Sequence, residues 1–235
     1  MVLLRKTQKT QNMRYRAHSI IGLSILFVSI MLHFSACKKK VTLYDLNGTI
    51  SDQQLNIKVS DVKVSLKASK IESGVYNPNY VEIQSTRSNS SGNFAFTVEH
   101  DNVAGYRLDF TKNDYFDQSL DIKPDDLQVN VPLNVNINFI PIAHIKLSVK
   151  NTSPQGTDDQ ITFRFKNIDV KCKECWNNIA ITGTGPSYTY SETKMVSGEK
   201  EILIEWVVKK KGNQSIYQDT IHTKAFTTVN FNINY

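Results

Sequence analysis

The stretch Thr86-Arg87-Ser88-Asn89-Ser90-Ser91-Gly92-Asn93-Phe94-Ala95-Phe96 decides the fold. Its first part is turn chemistry. Ser and Asn side chains bond to nearby backbone groups, and Gly takes a positive φ with no Cβ to clash. Its second part is strand chemistry, because Phe94, Phe96 and Val98 alternate with Ala95 and Thr97 and a period of two puts one set on one face. The turn therefore delivers the chain into a strand that drops two rings into a core. Alternation recurs on either side, at Val62, Val64 and Leu66, at Tyr106, Leu108 and Phe110, and at Val135, Ile137 and Phe139. Tyr76-Asn77-Pro78-Asn79, Asp101-Asn102 and Lys123-Pro124-Asp125-Asp126 punctuate these runs. The spacing predicts about seven strands in roughly 95 residues, the layout of a sandwich with hairpin and Greek-key connections.

The second half repeats the period but not the motif. Ile140-Pro141 closes the last strand of the first half, and new alternating sets run through Ile145, Leu147 and Val149 and through Ile161, Phe163 and Phe165. Two more come later, at Ile202, Ile204, Trp206 and Val208 and at Val229, Phe231, Ile233 and Tyr235. Lys209-Lys210-Lys211-Gly212-Asn213 reads as a hairpin turn between two long strands, its lysines solvated.

The first half carries a family resemblance. Leu46-Asn47-Gly48-Thr49-Ile50, Val62-Lys63-Val64-Ser65-Leu66, the Gly92-Asn93-Phe94-Ala95-Phe96 turn, Tyr106-Arg107-Leu108-Asp109-Phe110 and Tyr115-Phe116 resemble the carboxypeptidase-regulatory-like, or transthyretin-like, β-sandwich. The likeness spans residues 45 to 122 and departs from the family at 55 to 60, where the usual turn before Val62 is missing. It implies a fold and no activity. The expected architecture is all-β, two consecutive β-sandwich (transthyretin/Ig-like) domains at 45–139 and 140–235, after an N-terminal signal helix.

The net charge of +6 is misleading. Arg5, Lys6, Lys9, Arg14, Arg16 and Lys38 to Lys40 hold eight of the 28 basic residues and the first acid is Asp45, so the rest carries 20 basic residues against 22 acidic ones. That excludes a basic nucleic-acid face. Ala17 to Ala36 is an apolar run behind a cationic start, the layout of a secretory signal at 1–36. A membrane-spanning anchor is the alternative, since the run is just long enough. Phe34-Ser35-Ala36-Cys37 resembles the lipobox of bacterial lipoproteins, with Phe34 where leucine is usual. The resemblance implies lipidation of Cys37 by acyl chains such as palmitate, followed by a tether over 37–44. Cys37-Lys38-Lys39-Lys40 after such a signal is similar to lipoproteins of the Bacteroidota, which implies an outer-membrane anchor. With no acid before Asp45, the periplasmic face is favoured over the cell surface. Met13 offers an alternative start that gives the signal a conventional length.

Chemistry-bearing residues are few. With Cys37 assigned to lipid, Cys172 and Cys175 remain as a pair, expected to form a disulfide in an oxidising compartment. A redox role would need them at a helix start, whereas Trp176 to Gly183 reads as turn and strand. Zinc would need further ligands, and His100, His144 and His222 show no suitable spacing, so no metal or other cofactor is expected. The peptidase pair His-x-x-Glu is absent, since Val103, Leu147 and Ala225 stand three residues after those histidines. Asp125-Asp126 and Asp158-Asp159 fall in turn-rich segments, where capping is the expected role.

Trp176, Tyr188 and Tyr190 flank the Gly183-Thr184-Gly185-Pro186 turn, and they form either an exposed platform for stacking on sugars or part of the core. Asp219-Thr220-Ile221 resembles the short O-glycosylation site of Bacteroidota envelope proteins, with Thr220 as acceptor. The functional expectation is a non-catalytic, lipid-anchored envelope module that presents loops or sheet edges to an envelope protein. A glycan-binding accessory lipoprotein and a pilus-like structural subunit are the alternatives.

Overall fold

The computed structural model describes residues 42–72, 75–99 and 103–235. The expected signal segment, the expected lipidation site Cys37, and His100 lie outside the described residues. Residues 43–235 form one compact unit.

Nine strands build the first sandwich: β1 (Leu43–Asp52), β2 (Ile57–Lys58), β3 (Lys63–Glu72), β4 (Val75–Tyr76), β5 (Val81–Arg87), β6 (Asn93–Glu99), β7 (Val103–Thr111), β8 (Gln118–Ile122) and β9 (Leu133–Asn138). In one sheet β1 pairs antiparallel with β6 and, at its end, with β2, and parallel with β9 on its other side. The other sheet runs β5-β3-β7-β8, with β4 on the end of β3. Strand β1 begins inside the expected tether, since Leu43 already pairs with Glu99.

Seven strands build the second sandwich: β10 (Ile142–Lys150), β11 (Gln160–Lys166), β12 (Ile181–Thr184), β13 (Thr189–Ser197), β14 (Lys200–Lys210), β15 (Asn213–Thr223) and β16 (Thr228–Asn234). One sheet is β13-β10-β16, with β16 parallel to β10, and the other is β12-β11-β14-β15. The topology repeats that of the first sandwich apart from the two-residue strands β2 and β4. β10 stands where β1 does, β11 for β3, β12 for β5, β13 for β6, β14 for β7, β15 for β8 and β16 for β9. The likeness reaches single hydrogen bonds: Phe139 N donates to Ser51 O (2.8 Å) after β9, and Tyr235 N to Lys150 O (3.1 Å) after β16.

The turn motif behaves as its chemistry demands. Gly92 has φ +74°, and a Cβ there would lie 2.3 Å from the Ile50 carbonyl oxygen. Phe94 and Phe96 are buried, and Phe94 meets Phe110 edge-on at 5.6 Å. In the second sandwich the β14–β15 hairpin turns through Lys211 (φ 47°) and Gly212 (φ 75°), the two positive angles that a twist-compatible two-residue turn needs.

Buried apolar residues fall in two clusters, one drawn from Leu46–Phe139 and the other from Ala143–Ile233. Three residues, Ile140, Pro141 and Ile142, pass between them. Ile140 O accepts from Phe116 N (3.0 Å), Ile142 N donates to Asp114 O (2.8 Å), Pro141 O accepts from Gly198 N (2.7 Å), and Ile142 O accepts from Phe226 N (2.7 Å). The connection is thus bonded to both sandwiches and has little slack.

Candidate functional site

Of the two readings of Trp176, Tyr188 and Tyr190, the structure favours core packing, with Trp176 buried and the two tyrosines half-buried against the same core. Trp176 is 2 % exposed, its indole N–H donates to Ile145 O at 3.0 Å, and its ring lies 4.7 Å from that of Phe165. Tyr188 lies flat over Gly183, whose absent Cβ leaves the room for the ring. Tyr190 packs on Phe163 and its hydroxyl donates to Glu192, so burial and that carboxylate raise its pKa. Trp176 turns inward because the segment between β11 and β12 crosses to the other sheet: Trp176 N donates to Met195 O and Met195 N to Glu174 O, both at 3.0 Å. The buried Trp176 ring offers no face to a sugar.

The same segment holds Cys172 and Cys175, joined as a disulfide. It closes a turn against β13, where Cys175 bridges to Met195, and the next element is the strand β12 rather than a helix. His144 stands on β10, and His222 on β15 pairs with Glu201 at 3.4 Å. Among the described residues no three His, Cys, Asp or Glu side chains come together. Thr220 is exposed on β15, the edge strand of its sheet.

The aromatic surface lies elsewhere, on the open flank between β15 and β16. Along β14 the residues Ile202, Ile204, Trp206, Val208 and Lys210 share the inner face, opposite Ile221, Asp219, Tyr217, Ser215 and Asn213 of β15. Towards the hairpin this inner face opens to solvent, since Asn213, Ser215, Tyr217 and Asp219 of β15 are all exposed. Trp206 and Tyr217 stack there, centroids 5.5 Å apart and planes 15° from parallel, with Phe231 of β16 edge-on to the indole at 6.2 Å. Tyr217 is 46 % exposed. Trp206, Val208, Lys210, Asn213, Ser215, Tyr217, Asn234, Tyr235 and Gln155 enclose a cleft of about 400 Å³.

A buried polar lock adjoins the cleft through Gln155 and Lys210. Asp159 is fully buried, and its Oδ2 accepts from Asn151 Nδ2 (2.8 Å) and Gln155 N (2.9 Å). The Gln155 N–H first, and then Asn151 and the Lys210 charge, hold this carboxyl below the usual range against the opposing effect of burial. Lys210 Nζ donates to Asn151 Oδ1 (2.9 Å) and Ser153 O (2.7 Å) and lies 4.9 Å from the centre of the Tyr235 ring. Lys210 is thus a structural cation and not part of a solvated lysine turn; the inward register of β14 places it there. Asp159 and, in the first sandwich, Asp126, which accepts from Lys123 N, serve as loop caps.

The sequence marks Trp206 only as another inward residue of an alternating strand. What it does not show is that the β15 residues opposite this part of β14 stay exposed. The corresponding flank of the first sandwich is closed: Gln118 Nε2 of β8 donates to Asn138 O of β9 at 2.6 Å, and the inner face of β7 and β8 pairs Leu108 with Leu120 and Tyr106 with Ile122.

The site is therefore a half-open aromatic cleft in the second of two like sandwiches. No protein-family model matches the chain, and no curated protein matches it. Among solved structures, the chain is similar to the Bacillus anthracis TIE protein (8% identity, TM-score 0.36), covering 82% of this chain and 34% of that one. It thus spans about a third of that protein's length. It is also similar to GBS52, the minor pilin of Streptococcus agalactiae (10% identity, TM-score 0.35, 81% of this chain and 94% of that one). A DUF3823 family protein from Parabacteroides merdae aligns at 14% identity and TM-score 0.29, over 79% of this chain and 100% of that one.

Proposed function

We propose that the protein is a non-catalytic cell-envelope module, anchored to the outer membrane through a lipidated Cys37, whose paired sandwiches hold a binding cleft away from the bilayer. The open flank between β15 and β16 carries this reading, because exposed rings with convergent polar groups mark a recognition surface. The non-catalytic part is supported by what the buried carboxylates do: Asp52 accepts from Gln54 N and Leu55 N, as Asp159 does from Gln155 N, so both brace loops. A diacylated cysteine holds a protein at the membrane firmly, at about 0.8 kcal/mol per buried CH₂.

The test is metabolic labelling with a palmitate analogue, joined to protease shaving of intact cells. Wild type takes the label and resists protease until the outer membrane is opened, while Cys37→Ser loses both label and membrane fraction. An unlabelled wild-type protein would remove the anchor from the proposal. A pilus-like subunit is the second reading, favoured by the exposed edge of β15, where Ile216 is 72 % exposed and no Lys or Pro blocks pairing. Exchange of the last strand is disfavoured, since β16 is already registered on β10 from His144↔Thr228 to Lys150↔Asn234. Unboiled-gel ladders from detergent extracts would support that reading over the first.

A further inference from the structure

We infer that the cleft between β15 and β16 is a carbohydrate-binding site, with Trp206 and Tyr217 as its stacking surface; the inference rests on the reading of the chain as a binding module.

The lining divides into two kinds of surface. One is aromatic: the Trp206–Tyr217 pair, backed by Phe231, with Tyr235 also in the lining. The other is polar and almost wholly uncharged: Gln155, Asn213, Ser215 and Asn234. A sugar ring presents the same two surfaces, a face of C–H bonds that lies on an aromatic π-cloud and a rim of hydroxyls that both donate and accept. Amides match that rim because each carries two donors and an acceptor, while the rings supply contact area at low entropic cost. The cleft's volume of about 400 Å³ is at the small-ligand end of binding pockets. It suits one or two sugar rings better than an extended peptide.

Charge narrows the class. Among the described residues no side-chain carboxylate lines the cleft, and its charged side chain, Lys210, gives two of its N–H bonds to Asn151 and Ser153. A cationic ligand finds no side-chain counter-ion in that lining, whereas a sugar needs none. Comparison within the molecule adds a second observation. The first sandwich, with the same topology, straps its flank shut through Gln118 and fills it with Leu108 and Leu120. In the second, that strand pair carries a Trp opposite a Tyr and stays open. A fold that needed only a sealed core already has a way to seal it.

The chain contains two tryptophans, which makes the test direct. In full-length protein extracted in detergent and labelled with ¹⁵N-tryptophan, one indole signal belongs to Trp176 and one to Trp206, assigned with Trp206→Phe. The probes are xylan, mannan, dextran and polygalacturonate fragments, added separately to millimolar sugar. The expected result is a shift of the Trp206 signal with at least one of them, while the buried Trp176 signal stays still. The affinity should fall at least tenfold in Tyr217→Ser and in Asn234→Asp, which alter the exposed lining without emptying the core. A response to polygalacturonate alone identifies an acidic sugar; a response to the other three identifies a neutral one. A still Trp206 signal with every probe overturns the inference. So do shifts confined to the main-chain amides of β15, the mark of strand addition at the sheet edge. Either result leaves the palmitate-labelling outcome untouched, so the module reading and the sugar reading fail separately.

Discussion

Tyr115 of the first sandwich and Phe226 of the second meet edge-on with ring centroids 5.3 Å apart, and on its other side Tyr115 lies 5.4 Å from Phe139. Tyr115 and Phe139 belong to the first core, and the half-exposed Phe226 of the second sandwich packs on Tyr115 near the connection at residues 140–142. If this contact couples the sandwiches, the variants Tyr115→Ala and Phe226→Ala should be non-additive. A double-mutant cycle read by urea unfolding is expected to give a coupling of about 0.5–1.5 kcal/mol. Additive losses would mean that the main-chain bonds of residues 140–142 hold the junction unaided.

The same tyrosine should make the protein sensitive to alkali. Its pKa is pushed up to about 12, by burial first and then by the neighbouring Asp52 charge. A tyrosine in an unfolded chain titrates near 10, so folding favours the neutral ring. The stabilisation is complete below about pH 10 and is lost as pH rises towards 12. Tyr115→Phe cannot ionise. Between pH 10 and 12 its urea midpoint should fall less steeply than wild type; parallel slopes would assign the alkaline loss to Tyr188, Tyr190 and Tyr235, which are also raised.

Much of the fold is legible because it depends on local rules. Phe94 and Phe96 alternate, Gly92 is required by its φ, and Lys211-Gly212 makes a hairpin; each stems from a few adjacent residues. The tandem repeat is written more faintly. Leu133-Asn134-Val135-Asn136-Ile137-Asn138-Phe139 and Val229-Asn230-Phe231-Asn232-Ile233-Asn234-Tyr235 share alternating asparagines before an aromatic, and they form the two parallel last strands β9 and β16. Hydrophobic cores tolerate exchange of apolar residues, so the remaining strands share the pattern without the motif. The cleft is hidden for another reason. Trp176 and Trp206 sit in equally ordinary local sequence, and which of them is open depends on what packs over each.

Gly92→Ala tests the turn that opens β6. The substitution must hold a positive φ and place a methyl group against the Ile50 carbonyl, whose own N–H donates to Gly92 O at 2.9 Å. A non-glycine residue held at such an angle costs about 1–3 kcal/mol, and the clash adds to it. Gly212→Ala also needs a positive φ, yet it meets no atom within 4 Å. The Gly92 variant should therefore lose clearly more stability in urea than the Gly212 variant; equal losses would mean that the φ penalty alone matters.

Cys172 and Cys175 should act as a local staple, with the consequences confined to their segment. The bond closes a ring of four residues, for which loop-closure entropy predicts at most about 2 kcal/mol. Its effect concentrates on residues tied to β13 through Glu174, Trp176 and Met195. Replacing both cysteines by serine should leave the protein folded, with faster amide exchange at Trp176 and Met195 and no change along β14 and β15. Reduction by dithiothreitol should reproduce this pattern. A global loss of protection would instead make the disulfide a determinant of the whole second core. That outcome is disfavoured by the packing of Trp176, which is held independently by its hydrogen bond to Ile145 and its contact with Phe165.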